Sequence, residues 1–215
     1  TILERCGMTE TCMNMSNPLD GERIAGTVGP PLPGIEARIT GTEGKALAVG
    51  DTGMLEVRGP NVFKGYWRQA EKTAAEFRDD GFFITGDLAR IDECGYVSIV
   101  GRAGDMIISG GYNVYPKEVE AVIDALEGVA ESAVVGLAHS DFGEAVVAVV
   151  RRQEESGGPS EGEIIAAVKR DLANYKVPKR VFFTGELPRN SMGKVQKNVL
   201  RESFAKTFST PPEIQ

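Results

Sequence analysis

An aspartate and an arginine set the first chemical question. Asp87 ends a Thr-Gly-Asp run that follows the apolar, β-rich residues Phe82, Phe83 and Ile84. Arg102 stands fifteen residues later, at the end of a second β-rich run from Tyr96 to Val100. A carboxylate held in a short turn suits hydrogen bonds to vicinal hydroxyls, such as those of a ribose. An arginine beside it can hold the same sugar or a nearby phosphate. The same residues also fit two hairpins carrying ordinary surface charges.

Three further segments carry chemistry. Thr9 and Glu10 follow Gly7, a hydroxyl beside a carboxylate after a flexible residue. That pair suits a phosphate oxygen and a magnesium ion, because hard cations take oxygen ligands. It reads equally as a helix N-cap. Arg23 lies in GERIAGTVGPPLP, a Gly- and Pro-rich extended loop, as an exposed residue or as a partner for an anionic substrate group. Lys194 follows Gly193 in LPRNSMGKVQK. There it is a mobile cation able to reach a remote phosphate, or a solvated surface lysine. A phosphate-binding P-loop is excluded, since it needs Gly where Pro188 stands and Ser or Thr where Val195 stands.

Composition narrows the classes. A net charge of −7 excludes a basic nucleic-acid surface. No run approaches the roughly 18 apolar residues of a membrane span. The lone His139 rules out a multi-histidine metal site and reads as a turn residue. Cys6, Cys12 and Cys94 lack metal-ligand spacing, which points to reduced thiols and a cytoplasmic setting.

The elements that must position these residues form an α+β chain in two parts. Ile35–Ile39 and Met54–Arg58 read as short strands between Gly, Asp and Pro turns, and suggest a small antiparallel barrel or sandwich. Glu71–Arg78 reads as a short helix. After Gly104 the pattern changes. Pro116 opens a helix that puts Val119, Val122, Ile123 and Leu126 on one face. Residues 133–137 and 145–150 read as strands, and Ser156–Pro159 as a loop. Ser160 caps a helix carrying Ile164, Ile165, Val168 and Leu172. Val181–Phe183 reads as a strand, and Val195–Phe208 starts as a helix. The expected domains are 1–103 and a compact α+β unit over 104–208, with a flexible tail at 209–215.

Five segments in order carry a resemblance: GMTET (7–11), GMLEVRGPNVFKGYW (53–67), FFITGDL (82–88), GRAGDMIISGGYNVYP (101–116) and LPRNSMGKVQK (187–197). Together they resemble the acyl-adenylate-forming family of acyl-CoA synthetases, firefly-type luciferases and peptide-synthetase adenylation domains. NVFKGYW, FRDDGFFITGDL and LPRNSMGKVQKNVLRE are most similar to malonyl-CoA synthetases within it. The resemblance implies a carboxylate, malonate or a related acid, that reacts with magnesium ATP to give an acyl-AMP. Coenzyme A then displaces AMP. It places residues 1–103 at the end of a large AMP-binding domain and 104–208 in a mobile C-terminal domain.

By position, the resemblance puts Gly7, Met8 and Thr9 at the nucleotide, with Thr9 on phosphate and Glu10 on Mg2+. Asp87 takes the ribose hydroxyls and Arg102 the ribose side of the nucleotide. Lys194 bridges the substrate carboxylate and α-phosphate as negative charge gathers there. Gly110 and Gly111 let the pantetheine arm of coenzyme A pass close to backbone, and Gly104 and Asp105 form a hinge. Arg23, a cation in an extended loop, is expected to pair with the distal carboxylate of malonate. A lysine acetyltransferase acting on Lys194 would remove its charge and stop the first step while sparing thioester formation from acyl-AMP.

Three departures accompany the match. Cys6 stands where the family has an adenine-stacking aromatic residue. Gly104 stands where the hinge carries Asp or Lys. The family's Ser/Thr/Gly-rich phosphate loop is not in this sequence, and family members are more than twice as long. The chain is therefore expected to be a C-terminal part that does not form the adenylate unaided. The alternatives are a truncated, non-catalytic nucleotide- or partner-binding relative, and a synthetase for another short-chain, medium-chain or aryl acid.

Overall fold

A computed structural model describes residues 2–153 and 157–208. The chain divides after Gly104 into two compact units.

The first unit opens with two minimal strands, β1 (Arg5–Cys6) and β2 (Met15–Ser16), paired antiparallel with Cys6 opposite Met15. β3 (Glu36–Thr40), β4 (Gly53–Arg58), β5 (Phe83–Ile91) and β6 (Val97–Arg102) follow, with helix α1 (Ala70–Glu76) between β4 and β5. The strands form an antiparallel sheet in the order β3-β4-β5-β6. It is open, so the barrel or sandwich expected from the alternating pattern is a single sheet with β3 and β6 at its edges. The β6 edge is covered where Val28 donates to the Val97 carbonyl and Val97 donates to that of Gly29. Met15, Ile39, Leu55, Val57, Phe83, Ala89 and Val97 form the core on one face.

The other face of the sheet buries charge. Glu56 is fully buried and accepts from Thr40 Oγ1 at 2.9 Å, Arg38 Nε at 2.8 Å and Arg78 Nε at 2.8 Å. Arg38 also pairs with Asp80, and its guanidinium lies 3.9 Å from the centroid of the Phe82 ring. A buried carboxylate persists only where its lone pairs are met in this way. α1 is shorter than the expected 71–78. Phe77 takes extended backbone angles and bridges to Phe83, which puts its ring into the core.

The second unit begins in a 3₁₀ turn whose last residue is Asp105. β7 (Ile107–Ser109) and β8 (Tyr112–Val114) form a hairpin, and Pro116 takes the first position of α2 (Pro116–Asp124), where its missing N–H costs nothing. β9 (Val129–His139) and β10 (Gly143–Arg152) form a long hairpin. β11 (Arg180–Phe183) joins β10 in parallel on the other edge, after α3 (Glu161–Asp171). α4 (Lys197–Ser203) comes last.

Both faces of this sheet are covered, which is why 133–137 and 145–150 read as continuous apolar runs. Val134, Val146, Ala148 and Val150 pack on Val119 and Ile123 of α2 and Ile164 and Val168 of α3. Ala133, Val135, Leu137, Val147 and Val149 pack on Leu187 and Leu200. Ser160 caps α3 in a full capping box with Glu163, worth about 1 kcal/mol. α4 stops at Ser203, short of the expected run, and Phe204 returns its ring to stack on Phe182 at 4.3 Å. Ser156 of the expected 156–159 loop, and the tail from Ser209, lie outside the described residues.

Candidate functional site

The Thr-Gly-Asp run is a bulge inside β5 rather than a turn after a strand. Met54 pairs with Leu88 and Glu56 with Ile84, so Leu55 alone faces Thr85, Gly86 and Asp87. On the other side, Leu88 pairs with Gly101 and Ala89 with Ile99, which leaves Val100 as an extra residue on β6. Bulges of this kind re-aim side chains. Gly86 supplies the required left-handed backbone at φ 74°. Thr85 fills the interrupted ladder: its hydroxyl donates to the Leu55 carbonyl at 2.8 Å and accepts from Asp87 N at 3.1 Å. Asp87 and Arg102 are register partners across β5 and β6, with Arg102 Nε 2.8 Å from Asp87 Oδ1. Arg102 Nη1 donates to the Thr85 carbonyl at 3.2 Å. The arginine side chain is 50% exposed and the aspartate 13%, so the pair sits at the surface with the carboxylate recessed.

Cys6, at the end of β1, lies within electrostatic reach of both. Burial chiefly raises its thiol pKa; the Asp87 charge adds to this and the Arg102 charge opposes it. The segment that follows, Gly7 to Glu10, therefore starts within electrostatic reach of the Asp87–Arg102 pair.

Residues 7–14 form a tight loop between β1 and β2. No helix follows Thr9 and Glu10, so the N-cap reading is set aside; both lie in a turn closed by Thr11 N on the Met8 carbonyl. Gly7 is required by space, since a Cβ there would sit 2.0 Å from the Cys12 carbonyl oxygen. The loop is splinted by the NVFKGY segment. Asn61 Nδ2 donates to the carbonyls of Thr11 and Met13 at 2.7 and 3.1 Å, and Phe63 N donates to that of Glu10 at 2.8 Å. Tyr66 Oη reaches Glu10 Oε1 at 3.1 Å and Glu76 Oε2 at 2.7 Å.

Thr9 is exposed and Glu10 half-buried, both offering hard oxygen donors suited to Mg2+. Among the described residues no three His, Cys, Asp or Glu side chains gather into a metal cage. A Mg2+ at Glu10 would take one carboxylate from the protein and the rest from phosphate oxygens and water, as this ion does beside nucleotides.

Arg23 is less available than expected. Its Nε donates to the Pro18 carbonyl at 2.9 Å and its Nη2 to that of Leu19, which ties the guanidinium to its own loop.

In the second unit, Lys194 ends a short turn organised by Asn190. Asn190 Oδ1 accepts from Met192 N at 3.0 Å and Lys194 N at 2.9 Å, and Gly193 adopts φ 77°. The backbone of Lys194 is thus fixed while its side chain is exposed, with no partner among the described residues. Three residues on, Lys197 differs: its Nζ lies 2.6 Å from Glu120 Oε1, with both side chains largely buried. Gly110 and Gly111 form the two-residue tip of the β7–β8 hairpin, at φ 58° and 83°, values a primed hairpin turn demands. Asp105 pairs with Arg201 of α4 at 2.8 Å, and a Cβ at Gly104 would meet no heavy atom within 4 Å.

Sequence reasoning missed Thr85, Asn61 and Tyr66. Thr85 stood in the quoted run and its alternation with Asp87 was visible; Asn61 and Tyr66 act across more than forty residues, with no local signal.

Comparison with known proteins follows these segments. The AMP-binding enzyme model matches residues 1–67, and the AMP-binding enzyme C-terminal domain model matches residues 118–194. The chain belongs to the AMP-binding enzyme family. Among its relatives are a probable CoA ligase of Humulus lupulus and a malonate–CoA ligase of Arabidopsis thaliana, each 44% identical over 94% of this chain. The crystal structure of ATP-bound MatB from Rhodopseudomonas palustris is 59% identical over 97% of this chain, with a TM-score of 0.93. The chain spans 35% and 34% of the two ligases and 41% of the MatB chain, about a third to two fifths of each. Among the described residues of this family member, no helix is long and apolar enough to cross a membrane.

Proposed function

We propose that this chain carries the ribose site and the catalytic lysine of an AMP-forming acid–CoA ligase, with malonate as the acid. In the first half-reaction a substrate carboxylate attacks the α-phosphorus of ATP, forming acyl-AMP and releasing pyrophosphate. In the second, the thiol of coenzyme A attacks the acyl carbon and AMP leaves.

The observation that carries this reading is the recessed Asp87 carboxylate held by Arg102 across the β5 bulge. Two carboxylate oxygens with fixed orientation match two adjacent hydroxyls. Arg102, half exposed, orients the carboxylate and adds positive charge on the ribose side. Gly7, Met8 and Thr9 line the nucleotide, with the Thr9 hydroxyl toward phosphate. Glu10 would hold Mg2+, which when bound supplies positive charge to the phosphate oxygens. Lys194, on a fixed turn and with an exposed side chain, meets the negative charge that develops between carboxylate and α-phosphate.

For the thioester step, Gly110 and Gly111 present backbone without side chains to the pantetheine arm. We assign the hinge between half-reactions to Gly104 and Asp105. Similarity to a malonate–CoA ligase and to MatB supports malonate, with Arg23 as a candidate for its distal carboxylate. Acetylation of Lys194 would silence the first step. A cytoplasmic setting accords with three free thiols.

The test is malonate-dependent conversion of ATP to AMP and pyrophosphate in the presence of coenzyme A, in a full-length ligase that contains these residues and in its Lys194→Ala variant. Loss of AMP formation in the variant is expected, with thioester formation from preformed malonyl-AMP retained. AMP formation unchanged by Lys194→Ala would remove the lysine from the chemistry. Arg23→Ala that keeps the preference for malonate over acetate would remove Arg23.

A further inference from the structure

Two carboxylates converge on one hydroxyl in the first unit. Tyr66 Oη lies 2.7 Å from Glu76 Oε2 and 3.1 Å from Glu10 Oε1. A phenol carries one proton, so it can donate to only one of them at a time. The ring is not free to swing away. It packs T-shaped on Phe63 with ring centroids 4.8 Å apart, the Lys72 ammonium sits 4.0 Å from its centroid, and its backbone N–H is held by Thr73 Oγ1 at 2.9 Å. Glu10 is fixed at its backbone by Phe63 N. The phenolic proton can point to either carboxylate, and its direction decides whether the Glu10 carboxylate is held.

We propose that Tyr66 is a positioning residue for the Glu10 carboxylate, and that Glu76 sets the strength of that hold by competing for the single phenolic proton. The proposal rests on the reading of Glu10 as the carboxylate that holds Mg2+. Hydrogen bonds to a ligating carboxylate fix its orientation, and their loss weakens metal affinity about 10-fold or more. Glu76 belongs to α1 and Tyr66 to the loop before it, so this helix, which buries none of its own residues, acquires a role through Glu76.

The test uses Tyr66→Phe, which keeps the ring on Phe63 and removes only the hydroxyl, and Glu76→Gln, which removes the competing carboxylate. The side-chain carboxyl carbon of Glu10 is followed by NMR in metal-free protein, then during titration with Mn2+ in the presence of ATP. Tyr66→Phe is expected to move the Glu10 signal toward that of a free glutamate and to raise the apparent Mn2+ dissociation constant about 10-fold. Glu76→Gln is expected to move the metal-free signal the opposite way. A Glu10 signal unmoved by Tyr66→Phe, or moved in the same direction by both variants, would overturn the proposal. If wild-type Glu10 shows no Mn2+ broadening, the metal reading fails, while the metal-free signals still decide whether Tyr66 holds Glu10.

Discussion

Arg102 and Asp87 face each other across β5 and β6, 2.8 Å apart, at the point where both strands bulge. An ion pair with one half-exposed partner contributes only about 0.2–1 kcal/mol to stability. The local structure around it is more elaborate than that contribution requires. Two register shifts, a left-handed glycine and a doubly bonded threonine all converge on the orientation of one carboxylate. We therefore expect Asp87→Asn to melt close to wild type while losing most of its affinity for AMP.

Cys6 reports on the same pair. The thiolate is the reactive form, and Asp87 disfavours it while Arg102 favours it. Asp87→Asn should lower the Cys6 pKa, so that alkylation by iodoacetamide sets in at lower pH. Arg102→Ala should shift the onset to higher pH. Mass spectrometry of the Cys6 peptide across a pH series reads both; coincident profiles in all three proteins would contradict the electrostatic coupling of Cys6 to the pair.

Lys194 and Lys197, three residues apart, should separate cleanly. Lys197→Met leaves the Glu120 carboxylate, 6% exposed, without its cation and should cost about 3 kcal/mol. Lys194→Ala removes an exposed side chain with no partner among the described residues and should stay within about 0.5 kcal/mol of wild type. Urea denaturation of each variant gives the comparison, and equal losses would contradict it.

Much of this arrangement was legible in the sequence, and the limits are physical. The α2 face showed in the spacing of Val119, Val122 and Ile123, because a helix packed on one side must repeat that way. The Ser160 cap showed for the same local reason. The β5 bulge did not, since Thr85 completes it by bonding to Leu55, thirty residues earlier. Glu56 alternates with Leu55 and Val57 and so reads as an outward charge. It does point away from the core, and it is buried there by Arg38 and Arg78, which alternation alone cannot reveal. Tyr66 reaches Glu10 across 56 residues, so two segments that looked independent form one structure.

Acid should weaken the first unit through Asp80 and Glu36. A hydrogen bond from Arg38 chiefly lowers the Asp80 pKa, and one from Arg58 lowers that of Glu36. A folded pKa below the unfolded one stabilises above the ordinary carboxylate range, and that contribution is lost as pH falls through the folded value. Asp80→Asn should start with a lower Tm at pH 6 and lose less of it on going to pH 3. Parallel Tm curves for wild type and variant would contradict this.

Gly110→Ala and Gly111→Ala should each cost about 1–2 kcal/mol, because both sites need left-handed backbone. The cost is conformational: a Cβ at Gly111 meets nothing within 4 Å, and one at Gly110 meets only Phe142 at 3.8 Å. A d-alanine at either position should therefore restore stability, which thermal melting of semisynthetic protein would show; persistent destabilisation would point to crowding instead.

The most direct measurement of the central claim is calorimetric titration of this chain with AMP and with its 2′,3′-dideoxy analogue, in wild type and Asp87→Asn. Hydrogen bonds from two hydroxyls to a recessed carboxylate predict a preference for AMP of roughly 10- to 100-fold in wild type. The preference should collapse in Asp87→Asn. Equal binding of the two nucleotides by wild type, or a preference that survives Asp87→Asn, would contradict the assignment of this bulge as a ribose site.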